Sequence, residues 1–128
     1  MMRFEIISYR QAKEILESKR TIFKEIKDVI SNLTLKPEDR FDHETIKEGF
    51  KNKKWDTEEK IAEGLAKKWR YDAFKQRVAI EIDTNTPCYR SFLKFILGYN
   101  RNKIDVGVII VWDVKNIRHH KYHRFEVT

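Results

Sequence analysis

Three carboxylates stand close together in an apolar stretch of an otherwise basic chain: Asp72, Glu81 and Asp83, within "RYDAFKQRVAIEID" (Arg70 to Asp83). Glu81 and Asp83 are two residues apart, so on a strand they share one face while Val78, Ile80 and Ile82 line the other. Asp72 precedes them by a hairpin's length. Acids gathered in this way repel one another at neutral pH, and either a cation or proton uptake relieves them. If the cation is a metal, oxygen-only ligands select a hard ion, Mg2+ or Mn2+, over zinc. Such an ion activates water and neutralises charge on a phosphoryl group. The alternative is a solvated strand face whose acids meet Lys or Arg across the sheet. Spacing alone leaves both readings open.

The rest of the chain sets the context for that choice. Its 128 residues, 41% hydrophobic and 37% charged, suit one soluble domain over residues 1–128 with a modest core. No apolar run approaches the roughly 20 residues of a membrane span. The start, "MMRFEIISYR", lacks the apolar segment of a secretory signal, and the single cysteine, Cys88, cannot form an internal disulfide. A cytoplasmic protein is expected. The net charge of +7 favours a polyanionic partner, nucleic acid before a membrane surface. The membrane-surface reading lacks a strongly amphipathic basic and aromatic helix.

The elements that must position the acids follow from periodicity. "RFEII" (Arg3 to Ile7) reads as a strand, and Ser8 with Gln11 has capping-box spacing before one long amphipathic helix over about 9–29. After a loop with Pro37, a second helix is expected over about 43–53, marked by Ile46 and Phe50. Asp56 and Glu59 have cap spacing, and Ile61 and Leu65 are four apart, so a short helix is expected there despite Gly64. The pattern then turns to strands, with a hairpin turning at Lys75 and Gln76. "TNTPCYRSFLKFILGYN" predicts a well-buried helix capped by Thr86 and Pro87. "KIDVGVIIVW" predicts a central strand covered on both faces, and the basic tail, 113–128, is expected to end in an edge strand.

The combination of "FKQRVAIEID", "YRSFLKF" and "KIDVGVII" resembles the core of the BglII/BstYI-type restriction endonucleases, of the PD-(D/E)XK nuclease superfamily. "EIISYRQAKEILESKRTIFKEIKDVI" is similar to their N-terminal strand and helix, and "HETIKEGFKNKKW" to the helix before the catalytic strands, so the resemblance runs from Phe4 to about Trp112. It implies an α/β, restriction-endonuclease-like fold with a central mixed β-sheet flanked by helices and a catalytic core over about 70–112. It also implies Mg2+- or Mn2+-dependent cleavage of double-stranded DNA by a homodimer. Asp72 and Glu81 match the metal-binding acids, with the Ile82 carbonyl completing the shell. Asp83 stands where most of the superfamily has lysine and this branch has glutamine or glutamate, and is assigned to the attacking water. Alignment on Trp55 brings His43 and Glu44 towards the site, with Glu44 preferred. Lys75 and Arg77 match basic positions next to the site and are expected to contact phosphate, the alternative being ordinary strand-end solvation.

The chain departs from the family in length: the linker from Trp55 to Trp69 is short and little follows Val111. The parts that read bases look trimmed. The alternative reading is therefore a non-catalytic nucleic-acid-binding or assembly protein on the same fold. In the tail, His119 and His123 have a helical metal-ligand spacing, with His120 between them, but no cysteine or acid accompanies them. The preferred reading is a basic, aromatic segment, with Arg118 and Lys121 against a phosphate backbone.

Overall fold

A computed structural model describes residues 3–8, 11–32, 43–66, 69–83, 89–112 and 122–127, the backbone alone for 3–8, 112 and 122–127. Cys88, Thr86 and Pro87, Arg118, Lys121 and the side chains of His119, His120 and His123 lie outside what it describes.

The strand that carries Glu81 and Asp83 is β5 (Val78–Asp83); the elements before it are β1 (Arg3–Ser8), α1 (Ala12–Ser18), α2 (Arg20–Ser31), α3 (His43–Asn52), β2 (Glu59–Lys60), β3 (Arg70–Tyr71) and β4 (Ala73–Lys75). After it come α4 (Tyr89–Asn100), β6 (Val106–Trp112) and β7 (Tyr122–Val127). The main sheet has the order β1-β7-β6-β5-β4 and is mixed: β5 runs parallel to β6, while β4 and β7 are antiparallel to their neighbours β5 and β6. A helix between parallel neighbours is the crossover that "VAIEID", α4 and "VGVIIVW" predict.

Alternation on β5 divides the core into two layers. Val78, Ile80 and Ile82 pack with Leu16, Ile26, Ile46 and Phe50 from the first three helices and with Trp55 just after them. Ala79 packs with Tyr71, Phe95 and Ile109 on the other side, beneath α4. β6 is the middle strand, and Val106 to Ile110 are all buried, as its unbroken apolar run requires. Two close approaches seat α4. A methyl group on Gly98 would come 1.9 Å from the Tyr71 hydroxyl, and one on Gly107 would come 2.4 Å from the Phe95 ring.

Several elements differ from expectation. The long helix is two helices, broken at Lys19 (φ −102°, ψ 66°), whose N–H donates to Leu16 in a tighter turn. Just before the break the Ser18 hydroxyl donates back to Ile15, a local bond that competes with helix continuation. The break sends the Lys19 ammonium to the Gln76 carbonyl and to Asp105. Gln11 is the residue before α1 and makes no side-chain cap bond, while Ser8 ends β1, so the helix starts later than the expected cap.

The expected helix after Trp55 is also absent. Asp56 exchanges both backbone bonds with Phe74, and β2 pairs with β3, so this segment's polar backbone is satisfied by β3 and β4. Glu58 and Gly64 have positive φ, which a helix does not accept. The hairpin turns at Gln76 and Arg77, one residue later than expected. Both have positive φ, as a two-residue turn matching the strand twist demands. Neither is the Asn or Gly such turns favour, and Arg77 is held there by Asp105 and Asn102. β7 lies between β1 and β6, so it is an interior strand of the sheet and not an edge. α4 is buried on one face only. Tyr89, Phe92, Leu93, Ile96 and Tyr99 on its other side are exposed.

Candidate active site

Asp72 sits at the break between β3 and β4. Continuing the β4–β5 register by one step places it opposite Glu81. Two backbone bonds tie the pair together: the Asp72 N–H donates to Glu81 Oε2 (3.0 Å), and the Ile82 N–H donates to Asp72 Oδ2 (2.8 Å). Each carboxylate thus commits one oxygen to a backbone donor and turns the other to the nitrogen of a basic side chain. Lys94 Nζ lies 2.6 Å from Glu81 Oε1, and His43 Nε2 lies 3.2 Å from Asp72 Oδ1. His43 comes from α3 on one face of the sheet and Lys94 from α4 on the other.

The electrostatics follow from burial and from that pairing. Glu81 is only 4% exposed. Burial, together with the Asp72 charge, pushes its carboxyl up to about 8, although Lys94 works in the opposite direction. Burial also acts to raise Asp72, but the bonds from His43 and the Ile82 N–H outweigh it and hold this carboxyl below its ordinary range. The hydrogen bond to Asp72 lifts the His43 imidazole above its usual value against the effect of burial.

Lys94 is itself a buried residue. It is 9% exposed, and its ammonium also donates to the Arg70 carbonyl (2.9 Å). The Tyr71 hydroxyl donates to the Lys94 carbonyl (2.9 Å), fixing the turn of α4 from which the side chain leaves. One turn earlier Ser91 is buried and its hydroxyl donates to Asp83 Oδ2 (3.1 Å). Ser91 and Lys94, three apart on a helix, therefore face Asp83 and Glu81, two apart on a strand.

The structure brings Asp72, Glu81 and Asp83 to one end of the sheet, as the hairpin spacing implied. Glu44 is 79% exposed at its side chain and lies 3.4 Å from His43 Nδ1, while His43 is the residue that reaches Asp72. The Lys75 ammonium is held by Glu25 (2.8 Å) and the Lys53 carbonyl, and Arg77 forms a fork on Asp105 and Asn102. Glu25 also accepts from the buried Trp55 indole, which ties the hairpin to the second helix. Lys94, Ser91 and the pairing of His43 were not read from the sequence. Among the described residues, no group of three His, Cys, Asp or Glu side chains converges as a ready-made metal cage.

A family model described as restriction endonuclease BglII/BglIII matches residues 4–123. Neither the curated proteins nor the solved structures yielded a match.

Proposed function

The chain belongs to the BglII/BglIII restriction endonuclease family, and on that premise we propose that it is a divalent-metal-dependent DNA endonuclease, working in the cytoplasm as a homodimer on double-stranded DNA. One observation carries the metal reading. Asp72 and Glu81 each anchor one oxygen on a backbone N–H and turn the other to a basic side chain, His43 and Lys94 respectively. The two carboxylates, Asp72 between β3 and β4 and Glu81 on β5, with the Ile82 carbonyl as the third ligand that the family resemblance implies, would form an oxygen-only donor set that suits Mg2+ or Mn2+. The ion, when bound, supplies charge neutralisation at the phosphate and an activated water.

The chain's own groups do the rest. Asp83, steadied by Ser91, orients the attacking water. His43 holds Asp72 in place, and Glu44 acts through His43 Nδ1. Lys75 and Arg77 flank the tip of the catalytic hairpin, where phosphate shares them with Glu25 and Asp105. Arg118 and Lys121 extend the basic surface, and the net charge of +7 favours the polyanion. The exposed apolar face of α4 supplies the dimer contact, one copy serving each DNA strand.

A second reading, a non-catalytic DNA-binding protein on this fold, has one observation in its favour: Glu81 and Asp83 are already satisfied by Lys94 and Ser91 without a metal. Cleavage of mixed plasmid and genomic DNA in Mg2+ or Mn2+, with Asp72→Asn and Glu81→Gln alongside, separates the two. Discrete fragments lost in both variants establish a sequence-specific nuclease, and a smear lost in both establishes a nuclease that reads no sequence. DNA binding without cleavage in either metal favours the second reading.

A further inference from the structure

A lysine on the buried face of a helix requires a reason, because its ammonium is costly to desolvate unless paired and hydrogen-bonded. On α4 the buried positions are Ser91, Lys94, Phe95 and Gly98, and the helix is seated by the Tyr71 bond to the Lys94 carbonyl. From that seat the ammonium meets two acceptors, Glu81 Oε1 at 2.6 Å and the Arg70 carbonyl at 2.9 Å. The other Glu81 oxygen stays on the Asp72 N–H, so the carboxylate keeps one orientation whichever cation Oε1 receives.

We propose that Lys94 is a positioning residue of the active site: its ammonium holds, on Glu81 Oε1, the place that a divalent ion takes, and gives it up when the ion binds. The inference rests on the metal-nuclease reading above and deepens it. An ammonium brings one charge to an acid pair, while a divalent ion brings two and reaches both carboxylates. The lysine stem is four carbons long and flexible, and the Arg70 carbonyl beside the site remains an acceptor for the displaced ammonium. Lys94 thus keeps Glu81 oriented in the metal-free chain, at the cost of weaker metal binding. A purely structural lysine, present only to seat α4, would stay on Glu81 throughout.

Two measurements on the full chain decide this. Calorimetric titration with Ca2+ compares the wild type with Lys94→Met and Lys94→Arg. Removing the competing charge is expected to tighten Ca2+ binding about tenfold or more in Lys94→Met, with Lys94→Arg returning to wild-type affinity. In parallel, the side-chain ammonium signal of Lys94 in 15N-labelled wild type is followed by NMR, which needs no variant to fold. The signal is expected to shift and lose its exchange protection as Ca2+ saturates. Equal affinities and an unmoved ammonium signal, with Ca2+ bound, would remove this inference and leave the metal reading intact. No Ca2+ binding by the wild type or by folded Lys94→Met, with no change in the signal, would remove both.

Discussion

Glu81 is the residue on which the site turns, and its neighbours decide which substitutions are informative. Replacing it with alanine removes the carboxylate but strands the buried Lys94 ammonium. Breaking one side of such a pair costs about 3–5 kcal/mol, so Glu81→Ala is expected to unfold at clearly lower urea, and Glu81→Ala/Lys94→Met to recover part of the loss. Urea melts of the two singles and the double close that cycle; additive losses would mean the pair is not coupled. Away from the site, Arg77 and Lys19 hold the Asp105 carboxyl below its ordinary value. A depressed carboxyl contributes stability above its unfolded value and loses it as pH falls through the folded one. Asp105→Asn is therefore expected to melt below wild type at pH 7, with the gap closing as pH falls past the carboxylate range. A gap that persists in acid would assign the effect to lost packing. The acid pair itself was legible because strand alternation and hairpin length are local rules. His43 is legible by helix phase too: it lies three residues before buried Ile46 and seven before buried Phe50, on their face, whereas Glu44 is turned outwards. Lys94 depended on where α4 lands. The available signal was Ser91 and Lys94 at i and i+3 among apolar residues.

Elements were read well where burial set the pattern and poorly where a partner segment overrode it. β6 and β5 follow directly from their apolar runs. The segment after Trp55 carries helix-like spacing, yet Asp56 and Glu59 enter β pairings whose partners, Phe74 and Tyr71, lie more than ten residues on. The break at Lys19 is equally non-local, since the lysine serves the Gln76 turn and Asp105. α4 gives the sharpest test at this scale. Gly98→Ala would ordinarily stabilise a helix by up to about 1 kcal/mol. Here its methyl would meet the Tyr71 hydroxyl at 1.9 Å, and that hydroxyl is buried and bonded to the Lys94 carbonyl. Gly98→Ala is expected to destabilise by about 1–3 kcal/mol and to cut cleavage by shifting Lys94. Adding Tyr71→Phe removes the clashing atom; the next nearest Tyr71 atom is 3.2 Å away. The double variant should melt above Gly98→Ala alone. If it melts lower, the close approach is not what limits this position.

At the scale of the whole molecule, α4 has two faces of different character. The inner face of α4 delivers Ser91 and Lys94 to the acids, and the outer face carries Tyr89, Phe92, Leu93, Ile96 and Tyr99, between 39% and 68% exposed. Their spacing is that of one helical stripe. The sequence showed apolar residues on several sides of this helix and so suggested deep burial. It could not reveal that the sheet covers one side only, because an exposed apolar residue looks the same in sequence as a buried one. Large exposed apolar side chains in one stripe are rare on monomers and mark association surfaces. A two-fold contact through α4 would bring two copies of the helix together and hold two active sites in fixed relation to the DNA strands. Ile96→Asp places a charge at the middle of the stripe while leaving every inner contact of α4 unchanged. It is expected to sediment as a monomer where the wild type sediments as a dimer, with an unchanged far-ultraviolet dichroism spectrum. Plasmid cleavage should then pass from linear product to nicked circles, since a lone site cuts one strand per encounter. A variant that still sediments as a dimer would move the interface off α4. A wild type that is monomeric at high concentration, yet still linearises plasmid, would detach two-strand cleavage from dimerisation altogether.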